Sequence, residues 1–86
     1  MRTIRKFDLE IDDSPQVKEM PRDAEILFIH PQDGLLMMWT LVVPERARVR
    51  RQFAVHETRH PIPQDREYVG SAVMPPFVWH VFEIKD

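Results

Sequence analysis

The sequence predicts a small all-β domain, built as an antiparallel sandwich or small barrel of six to seven short strands. Three features predict this fold: apolar and polar residues alternate in short stretches, one dipeptide signals a tight hairpin, and prolines recur along the chain. The eight prolines leave room for a long helix only at residues 45–60, because proline inside a helix costs about 3 kcal/mol. Since the chain has only 86 residues, we expect a single domain that spans residues 1–86.

The first half of the chain contains four of the predicted strands. Residues 7–11 alternate apolar with acidic side chains, which predicts a strand with one solvated face. After a turn, residues 16–20 form a short extended segment. Residues 24–30 and 35–43 are apolar runs joined by Asp33-Gly34, and Asp-Gly between two such runs is the strongest short hairpin signal in the chain.

The second half contains the remaining predicted strands. Residues 49–55 alternate apolar with polar side chains, with Arg51 as the exception. Residues 68–74 and 77–84 form a last pair around Pro75-Pro76. The predicted core draws on all of these strands: Phe7, Leu9, Ile11, Ile26, Phe28, Trp39, Leu41, Phe53, Val55, Val69, Val81 and Phe82.

Two of the strands, at residues 35–43 and 77–84, are apolar on both faces. Because a small sheet has one core side, the second apolar face needs a cover. The cover is either a loop or the rest of a closed barrel, or else a second subunit or a target protein. Trp39 and Trp79 are the natural anchors of such an interface, because tryptophan combines a large apolar area with a polar group.

The composition narrows the class of protein. With 43% hydrophobic residues and a net charge of -2, the chain is expected to fold rather than to remain disordered. It has no cysteine, so disulfides and thiolate metal sites are excluded. Its charged start does not resemble a signal peptide, and no apolar run approaches the ~20 residues that span a membrane. We therefore expect a cytoplasmic protein without membrane contact.

One short motif matches a zinc-protease pattern. His56-Glu57-Thr58-Arg59-His60 reads H-E-x-x-H, which needs a helix to bring both histidines to one face. However, His60 precedes Pro61, which disfavours helical angles, and no third ligand is evident beyond His30, His80 or an unplaced carboxylate. We predict a chance match at a strand end and no bound metal.

The sequence also has no nucleophile elbow and no glycine-rich phosphate loop, so we predict no enzymatic activity and no cofactor.

Five of the twelve lysine and arginine residues fall between positions 46 and 59. Three interpretations stay open: arginines that protect an edge strand from aggregation, contacts with an acidic protein partner, or contacts with nucleic acid. The negative net charge argues against a dedicated nucleic-acid binder. With the two tryptophans, the candidate binding residues are Arg46, Arg48, Arg50, Arg51, Arg59, Trp39 and Trp79.

Several stretches together carry a resemblance that extends over nearly the whole chain: Thr3–Ile11, Met20-Pro21, Ala24–Leu27, Leu36–Val42, His60–Pro63, Glu67–Gly70 and His80–Glu83. In this order they resemble a small family of uncharacterised proteins common in phage and prophage genomes. The resemblance implies no established activity, and so no catalytic residue. In that family glycine is usual where Arg59 stands here, and Glu57 is not required, which supports the interpretation of H-E-x-x-H as accidental.

These observations favour a non-enzymatic interaction protein of phage type, acting in the cytoplasm of a bacterial host. Its expected partner is a host or defence protein, such as a CRISPR effector that it inhibits, and a homodimer is a further expectation. The alternatives from other classes are a nucleic-acid-binding accessory protein, which is the less favoured partner class, and a small virion assembly factor.

Overall fold

The computed structural model describes residues 1–85, which fold into seven antiparallel strands in two sheets. The strands are β1 (Thr3–Leu9), β2 (Gln16–Pro21), β3 (Glu25–Gln32), β4 (Leu35–Val42), β5 (Arg48–Glu57), β6 (Arg66–Met74) and β7 (Phe77–Ile84). Sheet A has the order β1-β4-β3 and sheet B the order β2-β5-β7-β6. The predicted all-β fold is confirmed, and of the two predicted architectures the small sandwich, rather than a closed barrel, is the one formed.

The predicted hairpin between β3 and β4 is confirmed at Asp33 and Gly34. Both residues have positive φ angles, 52° and 77°, as a tight two-residue turn between twisted strands requires. The chain crosses between the sheets after β1, β2 and β4. In the first crossing, the Val55 N–H of β5 donates a hydrogen bond to the Asp12 carbonyl at 3.0 Å, which anchors this connection to sheet B.

The segment with room for a long helix forms strand β5 and a turn instead. Strand β5 pairs with β2 on one side and β7 on the other, so it lies inside sheet B. Its arginine-bearing residues 48–52 pair with β2 only, since the pairing with β7 covers residues 53–57. That these arginines protect an exposed strand edge stays a prediction. Among residues 1–85 there is no helix long and apolar enough to cross a membrane.

The core lies between the two sheets. Its buried hydrophobic residues are Leu9, Met20, Ala24, Ile29, Leu36, Met38, Val42, Phe53, Val55, Ala72 and Val81. The prediction is confirmed for Leu9, Phe53, Val55 and Val81, while Phe7, Ile26 and Val69 are partly buried against this core. It is wrong for Ile11 and Phe28, which are 43% and 51% exposed. Trp39, Leu41 and Phe82 are partly buried, but the strand registers place them on outer faces.

A β-bulge in β3 explains the position of Phe28. The register shifts between Ile26 and Phe28, so Leu27 is an extra residue opposite β4. Beyond the bulge, Phe28 lies opposite Trp39 on the outer face and Ile29 lies opposite Met38 in the core. One inserted residue thus exchanges the inward and outward positions of the rest of the strand.

The two sheets approach each other most closely where β3 meets β6. A second register shift, between Tyr68 and Gly70, lies in β6 at this point. A Cβ atom on Gly70 would lie 2.9 Å from Ile29 Cγ1, which is closer than carbon atoms pack. Glycine is therefore required here so that the backbone of β6 can lie against a core side chain of β3.

Candidate functional site

The outer face of sheet A, the side turned away from sheet B, is largely apolar. The even-numbered residues of β4 are buried in the core, so its odd-numbered residues point outward. The registers place Ile4 beside Leu41 and Phe28 beside Trp39 on this outer side. We call it the aromatic face, and its apolar members are Ile4, Phe28, Leu35, Met37, Trp39 and Leu41.

The centre of the aromatic face is the stacked pair Phe28 and Trp39. Their ring centroids lie 4.8 Å apart with an interplanar angle of 3°, and His30 lies 6.2 Å from the Phe28 ring. The two residues are direct cross-strand neighbours, so the stack follows from the register. Lys6 Nζ donates a hydrogen bond to Gln32 Oε1 at 2.7 Å, between the two outer strands of the sheet. An apolar centre with a polar border is the usual anatomy of a protein-binding surface.

Trp79 lies in a different place from Trp39. It packs against the core on the inner side of sheet B, with its ring 5.3 Å from that of Phe77. There it lines a cleft with a volume of about 240 Å³, together with Ile11, Asp12, Asp13, Val55, Glu57 and His60. The two tryptophans predicted as anchors are therefore not brought together in one surface.

The five candidate arginines are also dispersed. Arg48 and Arg50 are exposed on the outer face of sheet B, whereas Arg46 precedes β5 and forms an ion pair with Asp23 at 3.1 Å. Arg59 lies in the turn after β5, with a φ angle of 75°. Arg46 and Arg59 are thus separated by the whole length of β5, roughly 30 Å for ten residues. Only Arg48 and Arg50 share a surface.

Arg51 is engaged inside the sandwich. It forms a two-pronged ion pair with Glu83 and donates a further hydrogen bond to the Ala24 carbonyl at 2.7 Å. The hydrogen bonds and charge of Glu83 raise the pKa of Arg51, against the opposing effect of burial. Burial acts to raise the pKa of Glu83, but the hydrogen bonds and charge of Arg51, with Lys85 nearby, outweigh it and hold that pKa below its ordinary value. Since its donors already have partners, Arg51 stabilises the fold rather than offering a surface contact.

A chain of hydroxyl and imidazole groups crosses the outer face of sheet B. Tyr68 Oη lies 2.6 Å from Ser71 Oγ, Ser71 Oγ 2.7 Å from His80 Nδ1, and His80 Nε2 2.8 Å from Thr58 Oγ1. Ser71 and His80 have the spacing of a nucleophile and its base. Both are partly exposed on the outer face of sheet B, where the four hydrogen-bonded side chains order one another.

The two histidines of the H-E-x-x-H motif lie in different environments. His56 is 3% exposed, and its Nε2 lies 3.2 Å from Arg66 Nη1. A guanidinium group can only donate hydrogen bonds, so Nε2 of His56 must accept this one. The imidazole ring is therefore neutral and carries its proton on Nδ1. Burial, and then the charge of Arg66, lower the pKa of His56. His60 is exposed in the turn, 3.3 Å from Glu57 Oε2.

The motif therefore spans a strand end and a turn, and the prediction of a strand here is confirmed. Within the part of the chain that the structure describes, no three histidine, cysteine, aspartate or glutamate side chains converge as a metal-binding group. That no zinc binds stays a prediction.

The comparisons with known proteins add one relationship. No curated protein and no solved structure matches the chain. A family model described as a domain of unknown function, DUF7352, matches residues 1–86, which is the whole sequence. This member of the family has the all-β sandwich described above. The chain belongs to the DUF7352 family of domains of unknown function.

Proposed function

We propose that the protein is a non-enzymatic binding domain whose aromatic face docks on a partner protein. The observation that carries the proposal is the stack of the exposed Phe28 on the partly buried Trp39, at the centre of an uncovered apolar sheet face. Contiguous apolar patches on small domains mark interaction sites, because burying them removes apolar area from water. Tryptophan at the centre of such a patch is the residue type that most often dominates binding energy.

The class of partner follows from the resemblance to phage and prophage proteins. We propose a host or defence protein of a bacterium as the target, and inhibition of a CRISPR-type effector is the sharper form of this proposal. A role in virion assembly is the competing form. The genes that flank the coding sequence distinguish the two, since virion genes and genes expressed early against the host lie in separate modules.

The outer face of sheet B favours nucleic acid as a second candidate partner. The registers place Arg48 and Arg50 on this face near Glu19, and the face also exposes Tyr68. A basic sheet face that also carries an exposed aromatic ring suits a nucleic-acid strand. The arginines lie far from the aromatic face, so the two candidate functions use different surfaces and can be tested separately.

Site-specific photo-crosslinking tests the aromatic face. A photoreactive amino acid replaces Leu35, which is exposed on the aromatic face, or Val73, which is exposed on the other sheet. In a bacterial lysate we expect one discrete crosslinked protein from position 35 and none from position 73. Trp39→Ala should abolish that product, whereas Tyr68→Ala, which removes an exposed aromatic ring from sheet B, should leave it unchanged.

Crosslinks of equal yield from both positions, or a product that survives Trp39→Ala, would contradict the proposal.

Binding to labelled single-stranded DNA tests the second candidate. A strong decrease in affinity with added salt, together with loss of binding in the Arg48→Glu/Arg50→Glu variant, would favour nucleic acid, because phosphate contacts release counterions.

A further inference from the structure

Strand β1 is an open edge of sheet A. Edge strands β3 and β6 pack against each other at one side of the sandwich, where Gly70 meets Ile29. The two remaining edges belong to β1 and β2. Residues 3–6 of β1 are all exposed. A free edge carries backbone N–H and C=O groups that can pair with a further strand.

We propose that two copies of the chain associate by antiparallel pairing of β1 with β1, centred on Phe7. Directly opposed residues in an antiparallel pair lie on the same face of the sheet. Lys6 and Asp8 both lie on the outer face of sheet A, since they oppose Trp39 and Met37 of β4. Centring the pair on Phe7 therefore sets each Lys6 opposite Asp8 of the second copy, and this happens twice because the dimer is symmetric.

The neighbouring registers are unfavourable. Pairing centred on Lys6 sets two lysines opposite each other, and pairing centred on Asp8 sets two aspartates opposite each other. Like charges directly opposed destabilise a strand pair. Among these three registers, the charges on β1 favour the one centred on Phe7, which is how an exposed edge can avoid indiscriminate association.

The other free edge lacks this complementarity. On β2 the opposite charges are Lys18 and Glu19, which are consecutive and so point to opposite faces of sheet B. In a symmetric antiparallel pair they can never stand opposite each other. Charge complementarity thus selects β1 as the dimer edge and a second copy of the chain as its occupant.

The proposed pairing is compatible with the contacts that β1 already makes. Lys6 donates one hydrogen bond to Gln32 at 2.7 Å, and its ammonium group has two further donors for Asp8 of the second copy. Phe7 is partly buried against the core, and the Phe7 of the second copy would cover its exposed side. The pairing joins two copies of sheet A edge to edge and leaves both aromatic faces uncovered, so it does not rest on the proposed function.

Sedimentation velocity with charge-reversal variants tests the dimer. We expect the wild-type protein to sediment with twice the chain mass of 10.3 kDa, and Lys6→Asp or Asp8→Lys alone to sediment as a monomer at the same concentration. A mixture of the two single variants, and the double variant Lys6→Asp/Asp8→Lys, should recover the dimer. Glu25→Lys is the control, because it reverses an exposed charge at the opposite edge of sheet A.

Three outcomes would overturn the proposal: a wild-type protein that is monomeric at high micromolar concentration, single variants that remain dimeric, or a mixture that stays monomeric. Circular dichroism on each variant confirms that it is folded, and the double variant keeps the test valid if one single variant does not fold. Because crosslinking through the aromatic face is measured separately, failure of the dimer leaves the proposed function unaffected.

Discussion

Arg51 of β5 and Glu83 of β7 form a two-pronged ion pair on the inner side of sheet B, with Arg51 Nε 2.6 Å from Glu83 Oε2 and Arg51 Nη2 2.7 Å from Glu83 Oε1. The guanidinium also lies 5.8 Å from the centre of the Phe53 ring. Its remaining contact, with the Ala24 carbonyl, ties strands β5 and β7 to the segment that leads into β3. This polar cluster thus connects sheet B to the start of β3 in sheet A.

Removing the charge of Glu83 should destabilise the fold. Glu83→Gln keeps the size of the side chain but leaves Arg51 partly buried without its anion, and we expect a loss of about 2–3 kcal/mol in the free energy of unfolding. Urea denaturation measures it. Glu25→Gln, at an exposed position, is the control and should stay within about 0.5 kcal/mol of wild type. Equal stability of the two variants would show that the ion pair contributes nothing net.

Acidification should destabilise the protein through His56. Burial and the nearby Arg66 lower the pKa of His56, Asp13 opposes this lowering, and His60 and His80 add to it. The unfolded chain therefore binds a proton at this residue more tightly than the folded chain does. The free energy of unfolding should decrease as the pH falls below about 6.5. NMR titration of the His56 ring should give a pKa below that of a free imidazole. His56→Phe, which keeps an aromatic ring beside Phe82, should flatten this part of the stability profile, and an unchanged profile would assign it to other groups.

Arg59→Gly should stabilise the protein. Arg59 has a φ of 75°, a conformation that costs an L-residue about 1–2 kcal/mol but costs glycine none. Since glycine loses more backbone entropy on folding, we expect a net gain of about 0.5–1 kcal/mol. Thermal unfolding compares this variant with Arg59→Ala, which removes the same side chain but keeps the strain. If both variants unfold at the same temperature, the gain does not come from the backbone conformation.

Gly70→Ala should destabilise the sandwich by about 1–3 kcal/mol, because the added methyl group would overlap Ile29. In a double-mutant cycle with Ile29→Ala, we expect the two changes to cost less together than the sum of each alone. Gly34→Ala is a matched control: a Cβ there meets nothing within 4 Å, so its cost comes from the φ of 77° and should be additive with Ile29→Ala. Additive costs for Gly70 and Ile29 would contradict the close contact.

The strands and the β3–β4 hairpin could be predicted from the sequence, but the inward faces could not all be assigned. Residues 26–29 form an unbroken apolar run, so nothing in the sequence marks Leu27 as the bulge that turns Phe28 outward. Strand β4 is apolar at both odd and even positions, so alternation could not decide between Met38 and Trp39 for the core. Both errors follow from the same cause: position in a strand determines the face only if the register is known.

The interior ion pair, in contrast, left a signal in the sequence. Arg51 is a charged residue among the inward-facing apolar residues of β5, and Glu83 is one among those of β7, opposite Phe53. Two opposite charges on core-facing positions indicate a pair, because a buried charge needs a partner. The contact between Tyr68 and Ser71 left no such signal, since their shared face depends on the register shift in β6.

The order of strands in sheet B has a consequence for synthesis on the ribosome. Strand β7 lies between β5 and β6, although it is the last of the seven to leave the ribosome. Until then β6 has no neighbour in its sheet, and β5 lacks its second one. The nascent chain therefore cannot complete sheet B gradually, and we expect the domain to fold only after β7 has emerged. If the linker that joins β7 to a stalled ribosome is shortened until β7 stays inside the exit tunnel, the nascent chain should remain incomplete, with the edge of β5 exposed.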